Sequence, residues 1–246
     1  MGTVLLHGFL GSGKNLRTLA QKWLERDARQ SFLIPDLLGH GESPPLPPTA
    51  TLDTVAAAVL QAAADANLPF PIQIVGHSLG GRIALACARL APDKVADVVL
   101  LDIGPGPIDP HKSESRQVLD LMLRAPDQVS DRKEMRTFFM DQGLSPALSD
   151  WILMNLRLEN DRYRWRIDRQ ALDALHTTFT IENLWSVVEA QEVPVHCAVG
   201  ERSNYVPAAE IARLTALGCD VHVLPGAGHY IHVDALGPLL DWLVAL

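Results

Sequence analysis

An α/β fold, with a mostly parallel sheet of about six strands covered by helices on both faces, is predicted by three observations on the 246-residue chain. Short β-branched runs alternate with segments of helical spacing. The runs are apolar throughout rather than alternating, as strands buried on both faces must be. One long interval breaks the rhythm and reads as a helical insert. Taken in order, residues 3–6, 31–35, 72–75, 95–103, 193–199 and 221–224 read as strands bounded by turn residues. Residues 16–24, 52–66, 79–90, 208–217 and 235–243 carry the apolar stripe of a helix. The PPLPP tract at 44–48 reads as a stiff surface loop.

The interval after the fourth strand is too long for one crossover helix and holds no run that reads as a buried parallel strand. Val118, Leu119, Leu121 and Met122 give one apolar stripe, Met135, Phe138 and Phe139 a second, and Trp151, Ile152 and Met154 a third. The expected organisation is a core over 1–106, a helical cap over 107–190 and the rest of the core over 191–246. Met122, Phe139 and Trp151 are the cap residues expected to line a pocket.

Apolar residues make up 48 % of the chain, enough for one sizeable core. The net charge is −8 and no Lys/Arg run is dense enough to track a phosphate backbone, so nucleic acid is not an expected partner. No apolar run reaches the ~20 residues of a membrane span. The beginning of the chain lacks the charged region and cleavage site of a signal peptide, so a cytoplasmic protein is expected. Cys87, Cys197 and Cys219 are widely spaced in apolar stretches and read as reduced packing residues, with no metal site and no organic cofactor implied.

The strongest chemical signal is Gly76-His77-Ser78-Leu79-Gly80-Gly81, between a strand and a helix. A sharp strand-to-helix turn projects the serine hydroxyl from the sheet end, and small neighbours keep the turn free of clashes. Ser78 is therefore the candidate nucleophile. A serine hydroxyl needs a base, and of nine histidines His229 is the best placed, after Gly226-Ala227-Gly228 and the last strand. His232 is its nearest competitor. His7, His40 and His77 are expected to support loops, and His176, His196 and His222 to be surface or packing residues. Backbone N–H groups of Leu79 and of Phe9, in the glycine-rich loop after the first strand, are the expected oxyanion donors.

The same loop carries a decoy. GFLGSGK at 8–14 fits the phosphate-loop spacing, and VVLLD at 98–102 imitates the strand that delivers a magnesium ligand. Asn15, however, stands where Ser or Thr would bind the metal, and a nucleotide-binding reading leaves Ser78 and His229 unexplained.

LLHGFLGS, PDLLGHGES, VGHSLGGRIAL, VVLLDIGPGP, NLRLENDRYRWRID, VGERSNYV and PGAGHYIHVD follow in the order seen in α/β-hydrolases. The chain resembles in particular the small YbfF-like bacterial esterases and their mitochondrial relatives. That resemblance implies the α/β-hydrolase fold, a Ser78–His229–Asp102 triad with Phe9 and Leu79 as oxyanion donors, and hydrolysis of a small-molecule acyl ester through an acyl-enzyme. A thioesterase, a C–C bond hydrolase or a menaquinone-pathway lyase would use nearly the same residues. A monomer or weak homodimer is expected, the latter through the run at 31–35, which becomes a sheet edge because only six residues precede His7.

Three carboxylates compete for the place of the acid. Many α/β-hydrolases carry Asp three residues past the glycine that ends the next strand, and here that position is Ser203. Asp102 is favoured because it lies at the end of the strand beside the one bearing Ser78. Glu201 is its main rival and Asp234 a weaker one.

Overall fold

The computed structural model describes residues 2–109 and 113–246. Along the chain β1 (Gly2–Leu6), α1 (Arg17–Arg26), β2 (Ser31–Leu33), α2 (Leu52–Asp65), β3 (Ile72–His77), α3 (Leu79–Leu90) and β4 (Val95–Leu101) alternate. There follow α4 (Glu114–Arg124), β5 (Gln128–Val129), α5 (Arg132–Asp141), α6 (Pro146–Ile152), β6 (Leu156–Glu159), β7 (Arg162–Trp165), α7 (Arg169–Ile181) and α8 (Trp185–Ala190). The chain then closes with β8 (Val195–Gly200), α9 (Ala208–Ala216), β9 (Asp220–Leu224), α10 (Ile231–Asp234) and α11 (Leu236–Ala245).

Six strands pair in the order β2-β1-β3-β4-β8-β9, all parallel. Successive side chains leave a strand on opposite faces. Leu5, Val75, Val99 and Leu101 accordingly pack with Trp23 of α1 and Leu239, Leu240 and Leu243 of α11. Val4, Leu6, Ile74, Val98 and Leu100 enter the opposite cluster, with α2, α3 and α8. This is the α/β-hydrolase architecture, with both faces of the sheet covered. Two expected strands end early for visible reasons. The run at 31–35 pairs only through Leu33, and β4 stops at Leu101 because Asp102 adopts a left-handed φ of 56°.

The expectation of a purely helical insert is corrected. β5, β7 and β6 form an antiparallel sheet, and β6 and β7 are joined by Asn160 and Asp161 with φ of 48° and 62°. Two positive-φ residues are what a tight hairpin requires, because their twist matches that of the flanking strands. Cys87 and Cys197 are buried and none of the three cysteines is disulfide-bonded. No helix among the described residues is long and apolar enough to cross a membrane.

Candidate active site at the carboxyl rim of the sheet

Ser78 caps α3 with φ 52° and ψ −118°, a conformation that non-glycine residues hold only under constraint. The constraint comes from both sides of the turn. A Cβ on Gly76 would lie 2.2 Å from the Gly80 carbonyl carbon, and one on Gly80 would lie 2.3 Å from the Leu6 carbonyl oxygen. The helix thus sits against the strand at backbone distance, and the Ser78 amide is fixed by donating to the Leu101 carbonyl at 3.1 Å.

His229 and Asp102 meet across the chain. The imidazole Nδ1–H donates to Asp102 Oδ2 at 2.7 Å, leaving Nε2 as the basic nitrogen. Asp102 is fully buried. Its Oδ1 accepts the Gly200 amide at 2.9 Å, and its Oδ2 also accepts the Ser203 hydroxyl. The rival acids are engaged elsewhere: Glu201 accepts the Gly226 amide at 2.7 Å and Asp234 the Gly228 amide at 2.8 Å. His232 is buried beside His77, with ring centroids 4.6 Å apart, and does not reach Asp102.

Ser78 and His229 line the same cavity of about 540 Å³, and no hydrogen bond joins their side chains. Bonds of this kind often tighten only when substrate is present. Phe9 also lines the cavity, and Leu79 is the first residue of α3. Neither the Phe9 nor the Leu79 amide donates to another group among the described residues. The loop carrying Phe9 is held from below. The Gly8 carbonyl accepts both the Gly11 amide at 3.1 Å and His7 Nδ1–H at 2.8 Å, while His7 Nε2 accepts the Leu37 amide at 3.0 Å. Burial lowers His7 to about 4, so this hydrogen-bond donor stays neutral. In the decoy loop, the Gly13 amide donates to Asp36 Oδ1 at 2.7 Å. That loop amide is already taken by a carboxylate, which would repel a phosphate brought to the same loop.

Four contributors escaped the sequence reading. Tyr205 stacks on His229 with centroids 3.7 Å apart and planes 16° apart, fixing the tilt of the imidazole. Ser203 adds a donor to the carboxylate. Arg82 is buried and forms no ion pair among the described residues, although the carboxylates of Glu182 and Glu210 act on it through space. It donates to the carbonyls of Gly104 at 3.1 Å, Gly106 at 2.7 Å and Glu182, tying α3 to the loop that follows Asp102, and burial lowers it to about 10. His176, read as a surface or packing residue, is a buried packing residue between Phe9 and Ser115 and bonds the Ser115 hydroxyl at 2.9 Å, a contact with the cavity loop that the sequence did not indicate. Only the GERSNY block offered a signal, as an unexplained cluster next to the vacant acid position.

Residues of the inserted segment line the cavity. Val118 of α4 and Ala147, Leu148 and Trp151 of α6 line it, opposite Leu10 and Leu16 of the core. Of the three expected lining residues only Trp151 does so. Met122 and Phe139 have no exposed surface and belong to the packed interior.

Comparison with known proteins agrees with this fold. The profile described as "Alpha/beta hydrolase family" matches residues 3–241. A protein named sn-1-specific diacylglycerol lipase ABHD11 from Danio rerio is 27% identical over 242 residues, covering 94% of this chain and 73% of that protein. Esterase YbfF of Escherichia coli is 26% identical over 233 residues, covering 94% and 87%. Among solved structures, a marine microorganism esterase superposes with a TM-score of 0.85 at 23% identity, covering 99% of this chain and 94% of that one.

Proposed function

The chain belongs to the alpha/beta hydrolase family and is a hydrolase, and from that premise we propose that it cleaves carboxylic esters through an acyl-serine on Ser78. The observation that carries the reading is the 2.7 Å bond from His229 Nδ1–H to buried Asp102, at the rim where the strained Ser78 opens on an apolar-walled cavity. The lipases and esterases among its relatives support the same reaction class.

In this mechanism Ser78 Oγ attacks the ester carbonyl carbon while its proton passes to His229 Nε2. Asp102 stabilises the resulting imidazolium and holds the ring in the tautomer that exposes Nε2. The Phe9 and Leu79 amides hold the oxyanion of the tetrahedral intermediate. Collapse breaks the bond to the alcohol oxygen, which leaves with the proton from His229. Water then attacks the acyl-enzyme with the same proton relay in reverse, releasing the carboxylic acid and free Ser78. Residues 107–190 act as the cap, and the α6 wall receives the acyl chain.

The test is labelling with a fluorophosphonate together with turnover of matched acyl ester and acyl thioester panels. Ser78 should be the labelled residue, and Ser78→Ala should lose both labelling and ester turnover, the latter by on the order of 10⁶. Labelling elsewhere, or an active Ser78→Ala enzyme, overturns the assignment. Faster turnover of every thioester than of its matched ester would move the substrate class.

A further inference from the structure

We propose that Asn155, in the segment inserted between β4 and β8, is a positioning residue for the oxyanion turn: its side-chain amide holds the Leu10 carbonyl and thereby the backbone that presents the Phe9 N–H. The inference rests on the reading of Phe9 as an oxyanion donor.

The turn from Gly8 to Gly11 is closed by the Gly11 amide on the Gly8 carbonyl at 3.1 Å, and its third residue, Leu10, has φ 61°. That position normally belongs to glycine, and a leucine held there costs about 1 kcal/mol or more unless its surroundings impose it. Glycine would relieve the strain but would remove a side chain that lines the cavity. The constraint is supplied from the insert. Asn155 is 4% exposed, and its Nδ2 donates to the Leu10 carbonyl at 3.1 Å and to the Ile152 carbonyl at 3.4 Å. Both neighbours are acceptors, so the nitrogen and not the oxygen of the amide must face them. Asn155 is itself anchored, because its backbone carbonyl accepts the Arg166 amide at 2.9 Å beyond the β6–β7 hairpin.

Planarity carries this contact to the reacting atoms. The Leu10–Gly11 peptide is pinned at both ends, its oxygen by Asn155 and its N–H by Gly8. The Gly8–Phe9 peptide has its oxygen pinned by Gly11 and His7. In a trans peptide the N–H points opposite to the carbonyl, so the Phe9 N–H is turned away from both donors. Without Asn155, Leu10 can leave the left-handed region. The Gly11 N–H then turns off the Gly8 carbonyl, the Gly8–Phe9 peptide keeps only its His7 contact, and the Phe9 donor loses its aim.

The experiment compares Asn155→Ala and Asn155→Ser with wild type, with activity normalised to sites titrated by a fluorophosphonate so that any destabilised variant is read on its folded fraction. Expected are a fall in kcat of about 10- to 100-fold with KM little changed, a part of the ~10²–10³ that loss of a whole oxyanion donor costs. Affinity for a trifluoromethyl ketone, which forms a tetrahedral adduct, should fall by a similar factor, and affinity for a long-chain alcohol should not. A second readout comes from Leu10→Gly, since glycine accepts this φ freely: the Asn155→Ala loss should shrink in that background. If Asn155 only glues the insert to the core, the titratable fraction falls and kcat per site stays at the wild-type value, which overturns the proposal. Ser78→Ala in the same assay separates the two levels, because an active Ser78→Ala enzyme sinks the underlying reading whatever Asn155 does.

Discussion

Asp102→Asn should preserve the fold and lower kcat by about 10⁴, because an amide in place of the carboxylate favours the wrong histidine tautomer. Glu201→Gln, whose carboxylate bonds the Gly226 amide away from His229, should cost far less in the same ester assay. Equal or reversed effects would remove Asp102 from its proposed role. Ser203→Ala deletes the hydroxyl donor on Asp102 Oδ2, and because a hydrogen bond to a charged group contributes about 1.5–3 kcal/mol to folding, the variant should lower the urea midpoint, with kcat falling only as far as the carboxylate loses its orientation. An unchanged kcat would show that the Gly200 amide alone suffices to hold the carboxylate. Ser78, His229 and Asp102 could be named as candidates from the sequence because each follows a readable strand, with the family resemblance favouring Asp102 over Glu201, and the structure brings His229 and Asp102 within 2.7 Å. Ser203 and Tyr205 could not be, since their contributions depend on the tertiary path of an irregular loop. A serine in the place of an acid reads as a loss until its hydroxyl is found on the acid of the neighbouring strand.

The tight approach of α3 to β1 makes Gly80→Ala a test of the elbow. A Cβ 2.3 Å from a backbone oxygen cannot be accommodated by a rotamer change, so the variant should be destabilised by on the order of 3 kcal/mol, seen as a lower urea midpoint, with labelling of Ser78 reduced. A wild-type midpoint would mean that the helix can slide. In the insert, the two classes of apolar residue should separate. Trp151→Ala, on the cavity wall, should shift the acyl-chain profile towards longer chains, whereas Phe139→Ala should cost about 3–5 kcal/mol of stability and leave the profile alone. A profile unchanged by Trp151→Ala would argue against α6 as the acyl wall. The insert was the least legible part of the chain. Its helices were visible as apolar stripes, but the β6–β7 hairpin was hidden because its strands are only four residues each and half polar, unlike the apolar runs of the main sheet. The Asn160-Asp161 pair between alternating runs was the available signal.

At the scale of the whole molecule, the histidines set an acid limit on stability. Burial lowers His7, His176 and His232 to about 4, His40 to about 3 and His77 well below its usual 6.5. The unfolded chain therefore binds more protons than the folded one between those values and 6.5, so stability is full above pH 6.5 and is lost as pH falls towards 4. Each such histidine contributes a slope of up to ~1.4 kcal/mol per pH unit. Urea midpoints should be flat from pH 7 to 8 and fall steeply below about 6, and a flat profile down to pH 4.5 would contradict burial of neutral imidazoles. The β4–β8 pairing has a consequence for biosynthesis. Val98 waits for Val195, roughly 100 residues later, so at the usual 5–20 residues per second a nascent chain carries an unpaired, apolar strand edge for about 5–20 s. During that interval the half-made protein is a template for misassociation with other strands, and a ribosome stalled within the insert would release an aggregation-prone species rather than an inactive but soluble one.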